Sequence, residues 1–186
     1  MKVFFVATPK GLDKYAQNYK RIAQCIEQLG HEHTCRFILD FKDSFYTLLR
    51  EKWPEHYRNV IGELKSADIA IFEVTVSSMT AGQLIQEAIH MSKPVIALHT
   101  GEYESIFLGG TEGVEPKVQV VEYSDENLEK VLKDAIEYAY DWLESRFTLI
   151  LPTHVRRQLD QVAKSGTSRS EYIRKLIEKD MKKDSK

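Results

Sequence analysis

Residues 66–101, which read SADIAIFEVTVSSMTAGQLIQEAIHMSKPVIALHTG, contain the pattern that decides the fold of the chain. An apolar run at 69–74 is followed by a polar turn at 75–80, a helical stretch over 81–91 and a second apolar run at 94–98. Continuous apolar runs are typical of strands that are buried on both faces, and two such strands joined by a helix form a parallel pair. This segment therefore predicts a βαβ unit within an α/β domain.

The alternation of strands and helices continues on both sides of this segment. Residues 2–7 form another apolar run, and apolar side chains recur at helical spacing over 12–29, where Gly30 supplies a stop. Further elements are expected along the chain: a strand near 34–39, helical pieces within 40–65 separated at Pro54, a strand at 117–121 and an amphipathic helix over 128–143. Together they predict a Rossmann-like parallel sheet with helices on both faces. Residues 99–116 contain glycines and predict a long loop with a binding role.

The composition is that of a globular chain. Hydrophobic residues make up 42% and charged residues 29% of the 186 positions, and no apolar run approaches the roughly 18 residues that a membrane span requires. The N-terminus lacks the layout of a signal peptide, and two cysteines, Cys25 and Cys35, are too few for a disulfide framework. We therefore expect a cytoplasmic protein.

Charge is distributed unevenly along the chain. Residues 1–145 carry 15 basic and 23 acidic side chains, a net charge of −8, whereas residues 146–186 carry 11 basic and 5 acidic side chains, a net charge of +6. A basic segment on an acidic body is typical of proteins in which one end contacts a polyanion. A solvated lysine-rich tail has the same charge, so the order of residues within the segment decides between the two.

The basic segment has the pattern of a small folded module. Residues 146–151 alternate like a strand and end at Pro152, and apolar side chains recur at helical spacing over 153–164, before Gly166. The sequence Ser168-Arg-Ser-Glu171 has the form of a capping box that begins a second helix. A strand and two helices of this size cannot bury their own apolar faces. The module is therefore expected to pair with a copy of itself or to pack on the rest of the chain.

This module, RFTLILPTHVRRQLDQVAKSGTSRSEYIRKLIEKDM, resembles the ribbon-helix-helix family of the Arc and MetJ type over nearly its whole length. In that family two strands pair across a dimer and lie in the major groove of DNA. The resemblance implies DNA contacts from Arg146, Thr148 and Ile150 on the strand, and from Ser168, Arg169 and Ser170 at the start of the second helix. Ile150 departs from the family pattern, because isoleucine contacts a thymine methyl but cannot hydrogen-bond to a base. A module used only for dimerisation is therefore the alternative to a DNA-binding one.

Polar residues that follow two of the predicted strands suit an anionic ligand. Thr8, Lys10 and Gly11 lie between the first strand and the first helix, and Ser78 lies in the turn before the helix at 81–91. Hydroxyls, a lysine and the free N–H groups at a helix start favour a phosphate, and open α/β sheets bind ligands above the carboxyl ends of their strands. Ordinary turn and capping chemistry is the alternative explanation of the same residues.

The segment 66–101 also resembles the nucleoside 2-deoxyribosyltransferase superfamily, most closely its 2′-deoxynucleoside 5′-monophosphate N-glycosidase branch. The matching positions are Ala67-Asp68, Glu73-Val-Thr75, Ser78, Gly82, Ala88 and Lys93-Pro94-Val95, and the opening VFFVATPKG is similar to the family's first strand and phosphate loop. The resemblance implies a nucleotide whose monophosphate lies on residues 8–11 and Ser78, beside Gly82 and Gln83. Lys10 stands where an arginine is usual, which keeps the charge but loses the bidentate geometry.

The catalytic positions that the resemblance implies do not carry carboxylates. The nucleophile of the family lies two residues after the matched helix glycine, where this chain has Leu84, which cannot attack an anomeric carbon. The second acid of the family falls at Val60, or at Asn59 with a shift of one residue. Glu87 and Glu73 are the acids left near the expected site, although each also suits a structural role.

No metal centre or cofactor is expected. His31 and His33, near Cys35, provide too few ligands in a helix–strand connection. His90 and His99 flank a strand beside the expected cleft, where ordinary surface histidines are also common.

The sequence supports three hypotheses about function. In the first, residues 1–144 form a nucleotide-binding, catalytically inactive deoxyribosyltransferase-like domain, coupled through residues 145–186 to a ribbon-helix-helix DNA-binding dimer that regulates transcription in response to a ligand. In the second, the protein is an active N-glycosidase or deoxyribosyltransferase that uses the basic segment to oligomerise. In the third, it is a non-enzymatic assembly protein. Leu84 favours the first hypothesis over the second, and Ile150 leaves the first and the third open.

Overall fold

The structure, a computed structural model, describes residues 1–34, 38–39, 50–101, 106–143, 150–164 and 168–184. The chain divides into two compact units, Met1–Glu144 and Ser145–Lys186. The first unit is an α/β domain, and the described secondary structure of the second unit consists of two helices.

The first unit is built around a parallel sheet of five described strands. These are β1 (Lys2–Val6), β2 (Glu32–His33), β3 (Ile69–Glu73), β4 (Val95–His99) and β5 (Val118–Glu122). Their order across the sheet is β2-β1-β3-β4-β5, and each pairing is parallel. The chain moves from β1 outward to β2 and then returns to β3 on the other side of β1. The carboxyl ends of β1 and β3 therefore form the switch point at which open α/β sheets bind ligands.

Five described helices cover the two faces of the sheet. They are α1 (Leu12–Gln28), α2 (Trp53–Ser66), α3 (Met79–His90), α4 (Ile106–Val114) and α5 (Leu128–Asp141). Because alternate strand residues point to opposite faces, Phe5 and Ile71 pack with α1 and α5, whereas Phe4 and Phe72 pack with α2, α3 and α4. The prediction of a Rossmann-like parallel sheet with helices on both faces is confirmed.

The first helix begins and ends as its sequence predicts. Tyr19, Ile22 and Ile26 are buried at helical spacing and pack on the sheet. Gly30 follows the helix with a φ of +80°, a backbone conformation that side chains with a Cβ rarely adopt. This turn brings the chain back to β1 within two residues.

The second strand lies earlier in the chain than predicted. The apolar pattern indicated a strand near 34–39, whereas β2 covers Glu32–His33, and Ile38 and Leu39 lie in a turn. The backbone amides of Glu32 and Thr34 donate to β1 and its flank at 3.0 and 2.9 Å, so pairing starts directly after the turn at Gly30. Ile38 is buried in the core from a turn, which explains an apolar pattern without a strand. Residues 35–37 lie outside the described residues.

Pro54 marks the start of a helix, which a 3-10 turn at Arg50–Lys52 precedes. It lies in the first turn of α2, where a backbone N–H has no acceptor inside the helix. A proline at this position therefore costs no helical hydrogen bond. The residues that were predicted to form the preceding helical piece, 40–49, lie outside the described residues.

The long loop predicted over 99–116 contains a helix, α4. Gly109, Gly110 and Gly113 each disfavour a helix on intrinsic grounds. Leu108 is nevertheless buried in the core, and the Glu112 carboxylate accepts a hydrogen bond from the Val120 amide at 2.6 Å. These contacts with the sheet stabilise α4 against its own composition. Residues 102–105 lie outside the described residues.

The second unit contains α6 (Thr153–Lys164) and α7 (Arg169–Asp184), which confirms the two predicted helices. Leu159 of α6 is buried, whereas Leu176 and Ile177 of α7 are 49% and 56% exposed in the single chain. Apolar side chains that were expected to face a core are thus partly exposed. Most of the predicted strand at 146–151 lies outside the described residues.

Candidate functional site

The two segments predicted to bind phosphate lie side by side at the switch point. After β1, Thr8 is buried and precedes a 3-10 turn at Pro9–Gly11 that leads into α1. A Cβ atom at Gly11 would collide with the Tyr19 hydroxyl and lie 3.2 Å from Val76, which belongs to the turn between β3 and α3. The 8–11 loop and the β3–α3 turn are therefore adjacent, and a side chain at position 11 would displace the buried Tyr19 hydroxyl.

The start of α3 offers donors to an anion. Ser78 has an extended backbone and caps the helix, its Oγ accepting a hydrogen bond from the Ala81 amide at 3.3 Å. Because the oxygen acts as the acceptor in this cap, the hydroxyl proton can still be donated to a ligand. The helix dipole favours negative charge at the same end.

The remaining predicted residues of the first unit are exposed at the surface around these segments. Lys10 projects from the 3-10 turn, and Gly82 and Gln83 lie in the first turns of α3. Gly82 lines the cavity described next, whereas Thr8, Lys10, Gly11 and Gln83 are not among its lining residues. Among the predicted residues, the cavity therefore supports Ser78 and Gly82.

A cavity of about 460 Å³ lies between α3 and α4, next to Ser78. This volume is within the range of small-ligand sites. Phe107, Leu108 and Thr111 of α4 form one wall, and Ser78 and Gly82 belong to the other. None of the lining residues is charged, so the cavity suits an uncharged part of a ligand. The sequence predicted a binding role for residues 99–116 but a loop in place of the helix that forms this wall.

The two implied catalytic positions contribute to the core. Leu84 is 6% exposed and packs in the cluster that contains Phe4 and Phe72, and Val60 packs against the same cluster. A carboxylate at position 84 would have to be accommodated in this apolar environment at a considerable desolvation cost. Glu87, one turn further along α3, is half-buried.

Glu73 is a fully buried acid at the end of β3. Its Oε1 accepts hydrogen bonds from the hydroxyl of Thr75 and from that of Tyr123, the latter at 3.2 Å. Burial raises the pKa of Glu73, and the hydroxyls of Thr75 and Tyr123 oppose this effect in part. The sequence had indicated a structural acceptor here, and these contacts agree with that role.

The histidines do not form a metal centre within the described residues. His33 Nε2 lies 3.0 Å from a Glu27 carboxylate oxygen, and burial lowers the pKa of His31. His99 Nδ1 accepts a hydrogen bond from the Gly101 amide at 3.2 Å. No group of three or more metal-ligating side chains occurs in the described part of the chain. Over the same residues, no helix has both the length and the apolarity to span a membrane.

In the second unit, the described DNA-binding candidates lie around the start of α7. Ser168 Oγ accepts a hydrogen bond from the Glu171 amide at 3.1 Å, which is the first half of the predicted capping box. Arg169 forms an ion pair with Asp160 of α6 at 2.7 Å, a contact that the sequence analysis did not anticipate. Ser170 is exposed, and Ile150 is 94% exposed. Arg146 and Thr148 lie outside the described residues.

The first unit thus defines a parallel α/β domain with a ligand-sized cavity and an anion-compatible edge at its switch point. Among solved structures, the chain is similar to the CMP N-glycosidase BcmB of Clostridium botulinum, with a TM-score of 0.52 and 17% sequence identity. The match covers 74% of this chain and 98% of that chain. It shows that the chain shares the fold of that enzyme. No protein-family model matches the chain, and no curated protein matches it.

Proposed function

We propose that the first unit binds a nucleotide at the switch point without cleaving it, and that the second unit pairs with a second chain and binds DNA. The protein is then a ligand-responsive DNA-binding regulator. The observation that carries the proposal is the contact between the 8–11 loop and the β3–α3 turn, two anion-compatible segments, combined with a leucine at the nucleophile position.

The chemistry of the switch point favours a phosphorylated ligand with an uncharged remainder. Lys10 and the Ser78 hydroxyl supply a cation and a donor at the helix starts, which suits a phosphate. The cavity between α3 and α4 supplies uncharged walls for the rest of the molecule. The solved relative acts on CMP, so nucleoside monophosphates are the first ligands to test.

Cleavage of the glycosidic bond requires a carboxylate that this site lacks at the position implied by the resemblance. Leu84 is buried in the core and can neither attack an anomeric carbon nor stabilise positive charge on a sugar ring. We infer that the domain binds its ligand and releases it unchanged.

For DNA binding, support comes from charge and from the start of α7. Residues 146–186 have a net charge of +6, and the exposed residues Ser168, Arg169 and Ser170 at the start of α7 suit a backbone phosphate. Arg169 must exchange its ion pair with Asp160 for a phosphate contact when DNA binds. A nucleotide regulates such binding only if it has different affinities for two arrangements of the dimer.

The proposal is tested by titration calorimetry with CMP, dCMP and the corresponding nucleosides, followed by anisotropy measurements on random duplex DNA with and without the tightest ligand. We expect binding of the monophosphates, weaker binding of the nucleosides, and a ligand-dependent change in duplex affinity. Absence of binding for every monophosphate would contradict the nucleotide-binding function. Absence of duplex binding at low salt would favour the assembly hypothesis, in which the second unit only pairs chains.

An active N-glycosidase is the second candidate, because Glu87 lies three residues after Leu84 on α3 and the fold is shared with an N-glycosidase. Release of free base from CMP or dCMP, abolished by Glu87→Gln, would establish this function. The exposed Glu137→Gln variant makes the same chemical change on α5 and is the matched control.

A further inference from the structure

Glu73 occupies a buried position of the sheet, where an apolar residue is usual. It is the last residue of β3, pairs in register with Leu98 of β4, and has no exposed surface. Its Oε2 has no hydrogen-bond partner among the described residues, whereas Oε1 accepts from Thr75 and Tyr123. A buried carboxylate with one oxygen unpaired is costly, so burial raises the pKa of Glu73 and shifts its equilibrium toward the neutral acid.

The groups that face Glu73 from the surrounding elements are hydroxyls. Tyr19 faces it from α1, Tyr123 from the segment after β5, and Thr75 from the turn after β3. None of the described lysines, arginines or histidines contributes to its pKa shift. When Glu73 ionises, none of the described cationic side chains therefore compensates its negative charge.

Tyr19 connects Glu73 to the 8–11 loop. The Tyr19 hydroxyl donates to the Thr8 carbonyl oxygen at 3.4 Å, lies directly against Gly11 and also interacts with the Glu73 carboxyl group. A hydroxyl has one proton, so Tyr19 cannot donate fully to both acceptors. An ionised Glu73 draws this proton toward itself, whereas a neutral Glu73 leaves it with the Thr8 carbonyl.

A second set of contacts connects Glu73 to the loop after β4. The Thr75 hydroxyl that donates to Glu73 also accepts a hydrogen bond from the Thr100 amide at 3.0 Å. Glu73 thus contacts or lies one side chain away from the segments that follow β1, β3, β4 and β5. All of these segments lie at the carboxyl edge of the sheet, where the ligand is expected.

We propose that Glu73 is a positioning residue that couples anion binding at the 8–11 loop to the uptake of a proton from solvent. This proposal rests on the nucleotide-binding function proposed above. Protonation keeps the Tyr19 hydroxyl on the Thr8 carbonyl and removes a negative charge from beneath the loop. Both effects strengthen binding of a phosphate, so its affinity falls as the pH rises through the pKa of Glu73.

The experiment is calorimetric titration of the full-length protein with CMP across about pH 5 to 8 for wild type, Glu73→Gln, Tyr19→Phe and Glu137→Gln. The glutamine keeps the shape and an acceptor but cannot ionise, and the phenylalanine removes only the hydroxyl that links Glu73 to Thr8. The phosphate of CMP titrates near pH 6 in the experiments on every variant. Differences between variants in the slope of log Kd against pH therefore report the titration of the protein's own groups. Glu137 is exposed on α5 and should behave as wild type.

We expect log Kd to rise with pH more steeply in wild type than in Glu73→Gln, by up to about one unit per pH unit. Tyr19→Phe should approach the Glu73→Gln slope. Equal slopes in wild type and Glu73→Gln would overturn the proposal while leaving nucleotide binding intact. If Glu73→Gln does not fold, a Tyr19→Phe slope equal to that of wild type would overturn it. No binding of CMP by wild type at any pH would overturn the nucleotide-binding function itself.

Discussion

The candidate ligand-binding residues of this domain are single residues at the carboxyl ends of β1 and β3. Gly11 permits contact between the 8–11 loop and the β3–α3 turn, and Ser78 combines a helix cap with a hydroxyl donor. Leu84 lies in the core and leaves no carboxylate at the implied nucleophile position, which is the basis of the proposed binding without cleavage. The sequence predicted residues 8–11 and Ser78 as a ligand site because they follow buried strands. The packing of Gly11 beside Tyr19 and of Leu84 in the core became visible only in the structure.

Ser78→Asp should weaken binding of CMP by about tenfold or more, because it places a carboxylate where the phosphate is expected. Aspartate is also a good N-cap, so α3 and the overall stability should be preserved. Titration calorimetry measures the affinity, and Ser78→Thr, which keeps a neutral capping hydroxyl, is the control. Undiminished affinity in Ser78→Asp would show that the phosphate lies elsewhere.

Glu73 should also give the free protein a characteristic pH dependence of stability. Its pKa is raised above the ordinary value of 4.5 by burial, so the folded state retains a proton that the unfolded state releases. The stabilisation is complete below the unfolded pKa and is lost as the pH rises through the folded pKa. Urea unfolding should therefore show that wild type loses stability with rising pH relative to Glu73→Gln. A difference in the free energy of unfolding between wild type and Glu73→Gln that does not change with pH would contradict the prediction.

At the scale of helices and strands, apolar periodicity in the sequence predicts most elements, whereas α4 forms because of its tertiary contacts. The strands β1, β3, β4 and β5 and the helices α1, α3 and α5 were recoverable from apolar periodicity, since their buried faces dominate their sequences. Helix α4 could not be predicted in this way, because its three glycines disfavour a helix. The helix depends on the burial of Leu108 and on the hydrogen bond between Glu112 and the sheet. The binding role predicted for residues 99–116 therefore lacked the helix that forms the cavity wall.

Contacts between distant residues were also beyond the sequence. Glu73 and Tyr123 are 50 positions apart, and their hydrogen bond depends on the register of β3, β4 and β5. The ion pair between Arg169 and Asp160 depends on how α6 packs on α7. No periodicity or motif reports such pairs, so the predicted site lacked both.

The ion pair between α6 and α7 should limit DNA binding by the second unit. Asp160→Asn should release Arg169 for a phosphate and strengthen duplex binding across all sequences, whereas Arg169→Glu should weaken it across all sequences. Loss of one phosphate contact should also reduce the slope of log K against log salt by about 0.9. Fluorescence anisotropy on random duplexes at several salt concentrations measures both effects. Identical duplex affinities for wild type, Asp160→Asn and Arg169→Glu would show that Arg169 does not contact the DNA.

At the scale of the whole molecule, the chain joins an acidic α/β unit to a basic helical unit. The apolar side chains of Leu176 and Ile177 are about half exposed in the single chain, as expected if a second copy covers them. Under the proposed function, the nucleotide site and the basic unit belong to one assembly in which ligand and DNA influence each other.

The full-length protein should be at least a dimer, and truncation after Glu144 should weaken or remove this association. The predicted ribbon needs a partner strand from a second chain, and a lone strand with two short helices is too small to be stable. Light scattering coupled to size exclusion measures the mass of both proteins. A full-length monomer at micromolar concentration would contradict the ribbon-helix-helix prediction.

The most direct test of the central claim is equilibrium dialysis of the full-length protein against dCMP, followed by chromatography of the bound fraction. Binding without cleavage predicts saturable retention with the nucleotide recovered intact, since Leu84 leaves no carboxylate at the nucleophile position. Ser78→Asp should reduce the retained amount and Ser78→Thr should not. Recovery of free cytosine at a rate proportional to protein concentration, or no retention by wild type, would contradict the claim.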